Sequence, residues 1–430
     1  MNRNLLGAAA TYSAANVLVA AFPLLLVPIL TRLLSPHDYG VLALFMAAAA
    51  FLATVIGLGV QGLVPIQYHR LERADIAQLI TACLAVAGTS LIGVTLLLVL
   101  APPWLTDTAR VPLRWLLVAS AFAAMQFVIA LRLSVLQAQN RSGRYAALQV
   151  AQAVLGAALS IALIVLAGMA WQGRVAGLVA ASALLAATAF VGLRHDGLLV
   201  ARAEARFIRM AARYGLTLLP HAFGGLALAI SDQVVVAALL GTDAAGLFAV
   251  ALSIAVAIQV VTIALNRAWA PWLYEHLPTL DEAAKHRVVR LTWAYFAIVA
   301  VGSVAFGLLA PAVMAWLVGP AFAPSGDYVL VLAIGFGFGG MYFAVTNYVF
   351  HAGATARLAT VTATAGAINV ALSTLLVGRY GLAAAGYGFA VAQALLFLGT
   401  WRLAHRVCPM PWFTALRVPK ATAAGQDHGL

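Results

Sequence analysis

The chain has 430 residues, 64% hydrophobic and only 9% charged, with 25 Lys and Arg against 13 Asp and Glu for a formal charge of +12. A water-soluble protein must dress its surface in charged side chains, and this ratio leaves too few of them, so the fold class is an all-α integral membrane protein. Membrane-spanning strands are excluded as well: they would be about 10 residues long and alternate polar with apolar, whereas the apolar runs here reach roughly 18 residues or more, enough to cross a hydrocarbon core of about 30 Å as helices.

The first predicted span covers 8–30. Its start, MNRNLLGAAATYSAANVLVAAF, is weakly basic, but the apolar run outlasts a signal peptide's and leads into many more spans, so it reads as a retained first helix. Further spans are predicted over 41–63, 77–101, 115–136, 145–169 and 175–193. A basic stretch, RHDGLLVARAEARFIRMAARYG from Arg194 to Gly215, then marks the midpoint. It reads either as an amphipathic hinge lying on an anionic leaflet or as a solvated linker. Six more spans follow over 214–239, 245–272, 288–318, 328–350, 358–377 and 382–403.

Twelve spans sort the basic residues onto two sides. One side receives Arg32, Arg110, Arg114, Arg174 and Arg379; Arg132 and Arg267 fall within spans; the remaining 18 lie on the side of both termini. The positive-inside rule makes that side cytoplasmic. Every loop is short, and none has room for a soluble catalytic domain.

The stretches LLSPHDYGVLA (Leu33 to Ala43) and LLGTDAAGLFA (Leu239 to Ala249) each end one span in a polar turn and restart the next with Gly, an apolar pair and Ala, 206 positions apart. A weaker echo pairs AGLVAASA (Ala176 to Ala183) with AGYGFAVA (Ala385 to Ala392). A six-span repeat returns the chain to its starting side, so the copies are parallel, related by an axis along the membrane normal, and meet at a central seam where transporters of this build hold substrate. The expected units are a six-helix bundle over 1–200, a second over 201–408 and a cytoplasmic tail over 409–430.

Chemistry-bearing residues are few. GLGVQG (Gly57 to Gly62) and GFGFGG (Gly335 to Gly340) fit a dinucleotide-binding pattern, but each is placed in a span with no strand before it, so close helix packing or a pliable break is the ordinary reading. The nine His and two Cys show no metal-ligand spacing. Asp232 is the single carboxylate within a predicted span, and His221, Gly225, Leu228 and Asp232 share one helical face over three turns. That stripe is either a titratable or cation-binding wall of a cavity or a pair of structurally bonded groups near the two interfaces. Arg132 and Arg267 either face inward or snorkel to the headgroups; Trp269, Trp272 and Tyr274 after Arg267 look like an interfacial belt. Arg32 follows Pro23 and Pro28, which should bend its helix; it is either turned inward toward an anion or paired with Asp38 to close the loop.

At this point a resemblance emerges. PILTRLLSPHDYG, LQAQNRSGRYAALQV, YGLTLLPHAFGGLALAISDQ, LLGTDAAGLFAVA and INVALSTLLVGRYGLAAAG, in this order from about Tyr12 to Trp401, resemble polysaccharide flippases of the multidrug/oligosaccharidyl-lipid/polysaccharide (MOP) exporter superfamily. The resemblance implies a MATE-like pair of six-helix bundles around a cationic cavity. It implies a bacterial inner-membrane protein that moves undecaprenyl-diphosphate-linked oligosaccharide outward, with membrane lipids and other polysaccharide assembly proteins as partners, a proton or sodium ion for coupling, no cofactor and no nucleic acid. Arg32 matches the arginine ending the family's first helix and Asp232 the aspartate of its seventh; Gln233 stands where members commonly carry a basic residue, leaving Asp232 less neutralised. The expected contacts to diphosphate and sugar are Arg32, Arg132, Arg267 and Asn347, and the expected ion-coupling pair is Asp232 and His221. The rival readings are a multidrug cation exporter of the same superfamily, whose cavity should hold carboxylates, and a membrane glycosyltransferase or O-antigen ligase, for which no catalytic constellation is seen.

Overall fold

The computed structural model describes residues 3–100 and 111–416; Arg110 and positions 417–430 of the expected tail lie outside them. All regular structure among the described residues is helical, and twelve helices are long and apolar enough to span a membrane. They are α1 (Arg3–Leu33), α2 (Pro36–Gly57), α3 (Arg73–Val99), α4 (Leu113–Ala138), α5 (Ser142–Leu166), α6 (Trp171–His195), α7 (Ala205–Leu240), α8 (Thr242–His276), α9 (Glu282–Leu317), α10 (Gly326–His351), α11 (Thr355–Tyr380) and α12 (Ala383–Val407). With no water in the bilayer core, the backbone must satisfy its own polar groups, and a helix does so within each segment.

The helix ends carry local signals. Ser35 caps α2 through a reciprocal box with Asp38, and Pro36 occupies the first turn, where its missing N–H is harmless. Helix α1 continues through Pro23 and Pro28. Helix α2 stops at Gly57, earlier than its apolar run suggests, because Leu58 and Gly59 both take positive φ and a 3₁₀ turn follows over Val60–Gly62. GLGVQG is thus a chain break, while Gly335–Gly340 lies within α10 against Phe389, Ser303 and Thr262. The basic midpoint is neither a separate surface helix nor wholly a linker: from Ala205 it is the first turns of the 36-residue α7, where Phe207 and Ala211 bury against the first half. Residues 409–416 fold back onto the second half, with Met410 and Trp412 buried and the Trp293 indole donating to the Trp412 carbonyl at 2.9 Å.

Apolar packing differs at the two ends of the bundle. Call the end where α1 starts and α12 finishes the basic end. At the opposite end one continuous core joins the halves, taking Leu26 and Leu30 from α1, Phe45 from α2, Phe122 from α4, Phe248 from α8, and Met314 and Phe336 from the second half. At the basic end there are two separate cores. One gathers Ile80, Leu131 and Leu193 with the start of α7; the other gathers Leu273, Val345, Tyr348 and Trp412. The halves therefore share one apolar core at one end, while at the other their cores are separate and the start of α7 crosses onto the first half.

Candidate functional site

The joint at the opposite end is built on the repeat. Helices α2 and α8 cross where a Cβ on Gly40 would run into the Thr242 carbonyl oxygen, and a Cβ on Gly246 into that of Pro36. Both pairs are repeat equivalents, so the crossing is locally two-fold. His37 and Asp243 occupy equivalent positions too, and they meet, Nδ1 to Oδ1, at 3.1 Å.

Arg32 reinforces this joint. Its Nη1 donates to the carbonyls of Pro28 at 2.7 Å and Leu317 at 2.9 Å, and its Nη2 to that of Trp316 at 2.9 Å, tying α1 to the carbonyl end of α9. Such a fork suits a helix C-terminus, whose last carbonyls lack partners. Beside it, the Gly319 N–H donates to Thr31 Oγ1 at 3.1 Å. Asp38 is occupied by Ser35, whose hydroxyl donates to it at 2.6 Å, so the alternative Arg32 to Asp38 pair does not form.

A cleft of about 520 Å³ lies in the second half between α7, α8, α10, α11 and α12. His221, Gly225, Leu228 and Asp232 form one wall; Gln259, Tyr342 and Gln393 add polar groups opposite. Asp232 is buried at 3% exposure, yet no cationic side chain pairs with it among the described residues. Its carboxylate instead accepts from the Ser373 hydroxyl and, at 3.1 Å, from Asn369 Nδ2, which also donates to Ser231 at 2.9 Å. Neutral donors hold a carboxylate in place without cancelling its charge, which leaves it able to attract a cation. His221 lies at the exposed mouth of the same wall.

The remaining candidates are dispersed. Arg132 is 7% exposed, gives Nη1 to Asp196 Oδ2 at 2.7 Å and lies beneath Gly192, inside the first half. Asn347 is buried in α10, where it accepts from the Tyr274 hydroxyl at 3.1 Å and donates to Asn266 at 2.8 Å. Arg267, one residue beyond Asn266, is exposed, and no ion pair engages it among the described residues.

Comparison with known proteins now decides the family: residues 5–276 match the polysaccharide biosynthesis proteins. The chain belongs to that family. No curated protein matches it. The solved structure of lipid II flippase MurJ in an inward closed conformation superposes with a TM-score of 0.76 at 11% identity, covering 91% of this chain and 87% of that one. An inward-facing multidrug resistance MATE transporter of the MOP superfamily gives 0.63 at 13%, covering 92% and 94%. A MOP-superfamily transporter from Pyrococcus furiosus gives 0.60 at 13%, covering 93% and 95%. This member of the polysaccharide biosynthesis family therefore has the fold of MOP-superfamily transporters.

Sequence reasoning missed the partners of Asp232. Asn369 and Ser373 stand one turn apart in INVALSTLL, and two polar side chains on one face of an apolar helix are a legible signal for a buried polar contact. It also left Arg174 in a loop. In the structure that residue is in the first turn of α6, half-buried, donating to Ser160 Oγ at 3.0 Å and the Gly156 carbonyl at 3.3 Å.

Proposed function

We propose that this protein flips an undecaprenyl-diphosphate-linked oligosaccharide from the cytoplasmic to the periplasmic leaflet of the bacterial inner membrane by alternating access. The observation that carries the reading is the packing asymmetry: the halves share one apolar core at the opposite end and keep two separate cores at the basic end, bridged there by the start of α7. The basic end is taken as cytoplasmic from its excess of Arg and Lys. The family and the flippase fold add support for a lipid-linked sugar.

Arginine suits a diphosphate through planar, bidentate hydrogen bonding. Of the candidates, exposed and unpaired Arg267 is the loading contact. Arg32 becomes available when α1 and α9 separate, since that frees the donors it gives to the Trp316 and Leu317 carbonyls. Arg132 and Asn347 fix the walls from behind. Moving two negative charges outward against an inside-negative potential is favourable by about 4 to 5 kcal/mol per 100 mV, so export runs downhill. A proton or sodium ion drawn to the Asp232 and His221 wall then resets the empty carrier. The protein carries out transport and no bond chemistry.

The test is flipping of a fluorescent isoprenyl-diphosphate oligosaccharide in proteoliposomes, read by an impermeant quencher. Arg267→Ala should slow it about tenfold or more and Arg267→Lys less, the loss of a charge-assisted fork; equal rates for all three would overturn the assignment. One observation favours a second reading, export of organic cations: Asp232, the carboxylate lining the cleft, has no cationic partner among the described residues. Ethidium transport with no lipid flipping would select it.

A further inference from the structure

A second polar cleft, of about 540 Å³, lies wholly within the first half at the basic end, away from the Asp232 wall. Four helix ends build it: the starts of α3 and α5, with Arg73 and Arg141, and the ends of α4 and α6, with Gln139 and Asp196. Its charges do not balance. Asp196 is the only acidic side chain lining it, and that carboxylate is taken at 2.7 Å by Arg132, with both partners largely buried.

Arg141 reaches the same oxygen only at 3.4 Å and is 43% exposed. Arg73 donates to the Asp196 backbone carbonyl at 2.9 Å and makes no ion pair among the described residues. Other nearby acids are diverted or outside: Asp75 pairs with Arg206 at 2.9 Å, and exposed Glu72 does not line the cleft. His69 also lines the cleft. The field is felt by Asp196: burial alone would raise its pKa, but the Arg132 hydrogen bond and the charges of Arg132, Arg141 and Arg144 bring it below the ordinary value.

Neutral groups favour an anion as well. The helix starts at Glu72 and Arg141 have no side-chain cap, so their first N–H groups keep free donors. The Tyr68 hydroxyl accepts from Gln139 Nε2 at 2.9 Å, which leaves its own proton for a ligand.

We propose that this cleft binds the phosphate of an anionic lipid at the membrane surface, gripped between Arg73 and Arg141, whatever head group the central seam carries. Basic pockets between transmembrane helices on the cytoplasmic side are suited to such headgroups. The same phosphate chemistry has two sources, a glycerophospholipid of the bilayer or an isoprenyl diphosphate, and the experiment separates them.

Purified full-length protein in detergent is titrated with cardiolipin, phosphatidylglycerol, phosphatidylcholine and farnesyl diphosphate, with binding read by native mass spectrometry and by thermal stabilisation. Arg73→Gln and Arg141→Gln should each weaken anionic-ligand binding about fivefold, and together about thirtyfold, leaving phosphatidylcholine unaffected. The Arg73→Lys/Arg141→Lys pair, which keeps the charge, should fall between. Preference for cardiolipin or phosphatidylglycerol assigns a bilayer lipid; preference for farnesyl diphosphate assigns a substrate-type ligand. If phosphatidylcholine binds as well as cardiolipin, or if the single Gln variants bind anionic ligands like wild type, the site is refuted.

Discussion

Substituting Gly40 with Ala attacks the one contact that the repeat makes twice. A methyl group there would overlap the Thr242 carbonyl and stand 3.0 Å from the Gly246 nitrogen, so α2 and α8 must part by about 1.5 Å to restore van der Waals distance. Overpacking of this kind costs about 1 to 3 kcal/mol. The strain exists only while the crossing is closed, so it biases the joint toward opening by roughly 5- to 150-fold. Gly246→Ala should behave alike, and the double variant should fall short of the sum because both methyl groups push the same two helices apart. The assay uses Ala245→Cys, fully buried at the crossing, in a background lacking Cys83 and Cys408, labelled by an impermeant maleimide from the side of the joint. Labelling should be faster in Gly40→Ala while the thermal midpoint of unfolding falls only slightly. Wild-type labelling together with wild-type stability would refute the reasoning; loss of folding in Gly40→Ala would shift the test to Gly246→Ala.

The other expectations follow from individual side chains. Arg32→Ala removes the fork on the Trp316 and Leu317 carbonyls and should speed labelling of the same cysteine about threefold, the contact being exposed; Arg32→Lys should recover only part. Arg132→Ala strips Asp196 of its closest partner and should destabilise the first half by about 3 kcal/mol in thermal melts. Because the Asp196 pKa is depressed, its stabilisation is complete above the unfolded value and is lost as pH falls through the lower folded one. Melts from pH 6 to pH 3 should therefore lose more stability in wild type than in Arg132→Ala. Asp232→Asn should slow repeated turnover more than a single flip in liposomes under an imposed potential; equal slowing of both would remove the coupling role.

How far the sequence carried this reading depends on the range of each interaction. Spans were legible because hydrophobic length is a local property, and the duplicated turn because it repeats its own glycine, but not that the two turns pack on each other, which is a contact 206 residues apart. The start of α7 was obscured, since Arg206, Arg209 and Arg213 look like a surface run until Phe207 and Ala211 find the first half's core. Arg32 was legible as unusual but not in its contacts, for its partners are backbone carbonyls 284 and 285 residues away, and every residue has one. The His221 to Asp232 stripe could be read because it lies on one helix. Its other wall could not, because Asn369 and Ser373 come from four helices later.

The repeat also separates mechanics from chemistry. At the 206-residue offset, Gly40 answers to Gly246 and His37 to Asp243, so the closing joint is symmetric. The polar residues are not: Asp232 answers to Leu26, which is buried in the shared core, and Arg32 answers to Ala238. A symmetric joint lets two similar bodies rock about one axis with little preference for either end. In the proposed cycle direction then comes from what breaks the symmetry, the Asp232 carboxylate lining the second-half cleft and the Arg32 latch contributed by the first half. In the proposed cycle an ion that fills the Asp232 wall would act on one lobe, and the other would follow through the crossing. Moving the carboxylate to position 26 should therefore not create a second site of the proposed kind, because Leu26 is packed in the core that the halves share.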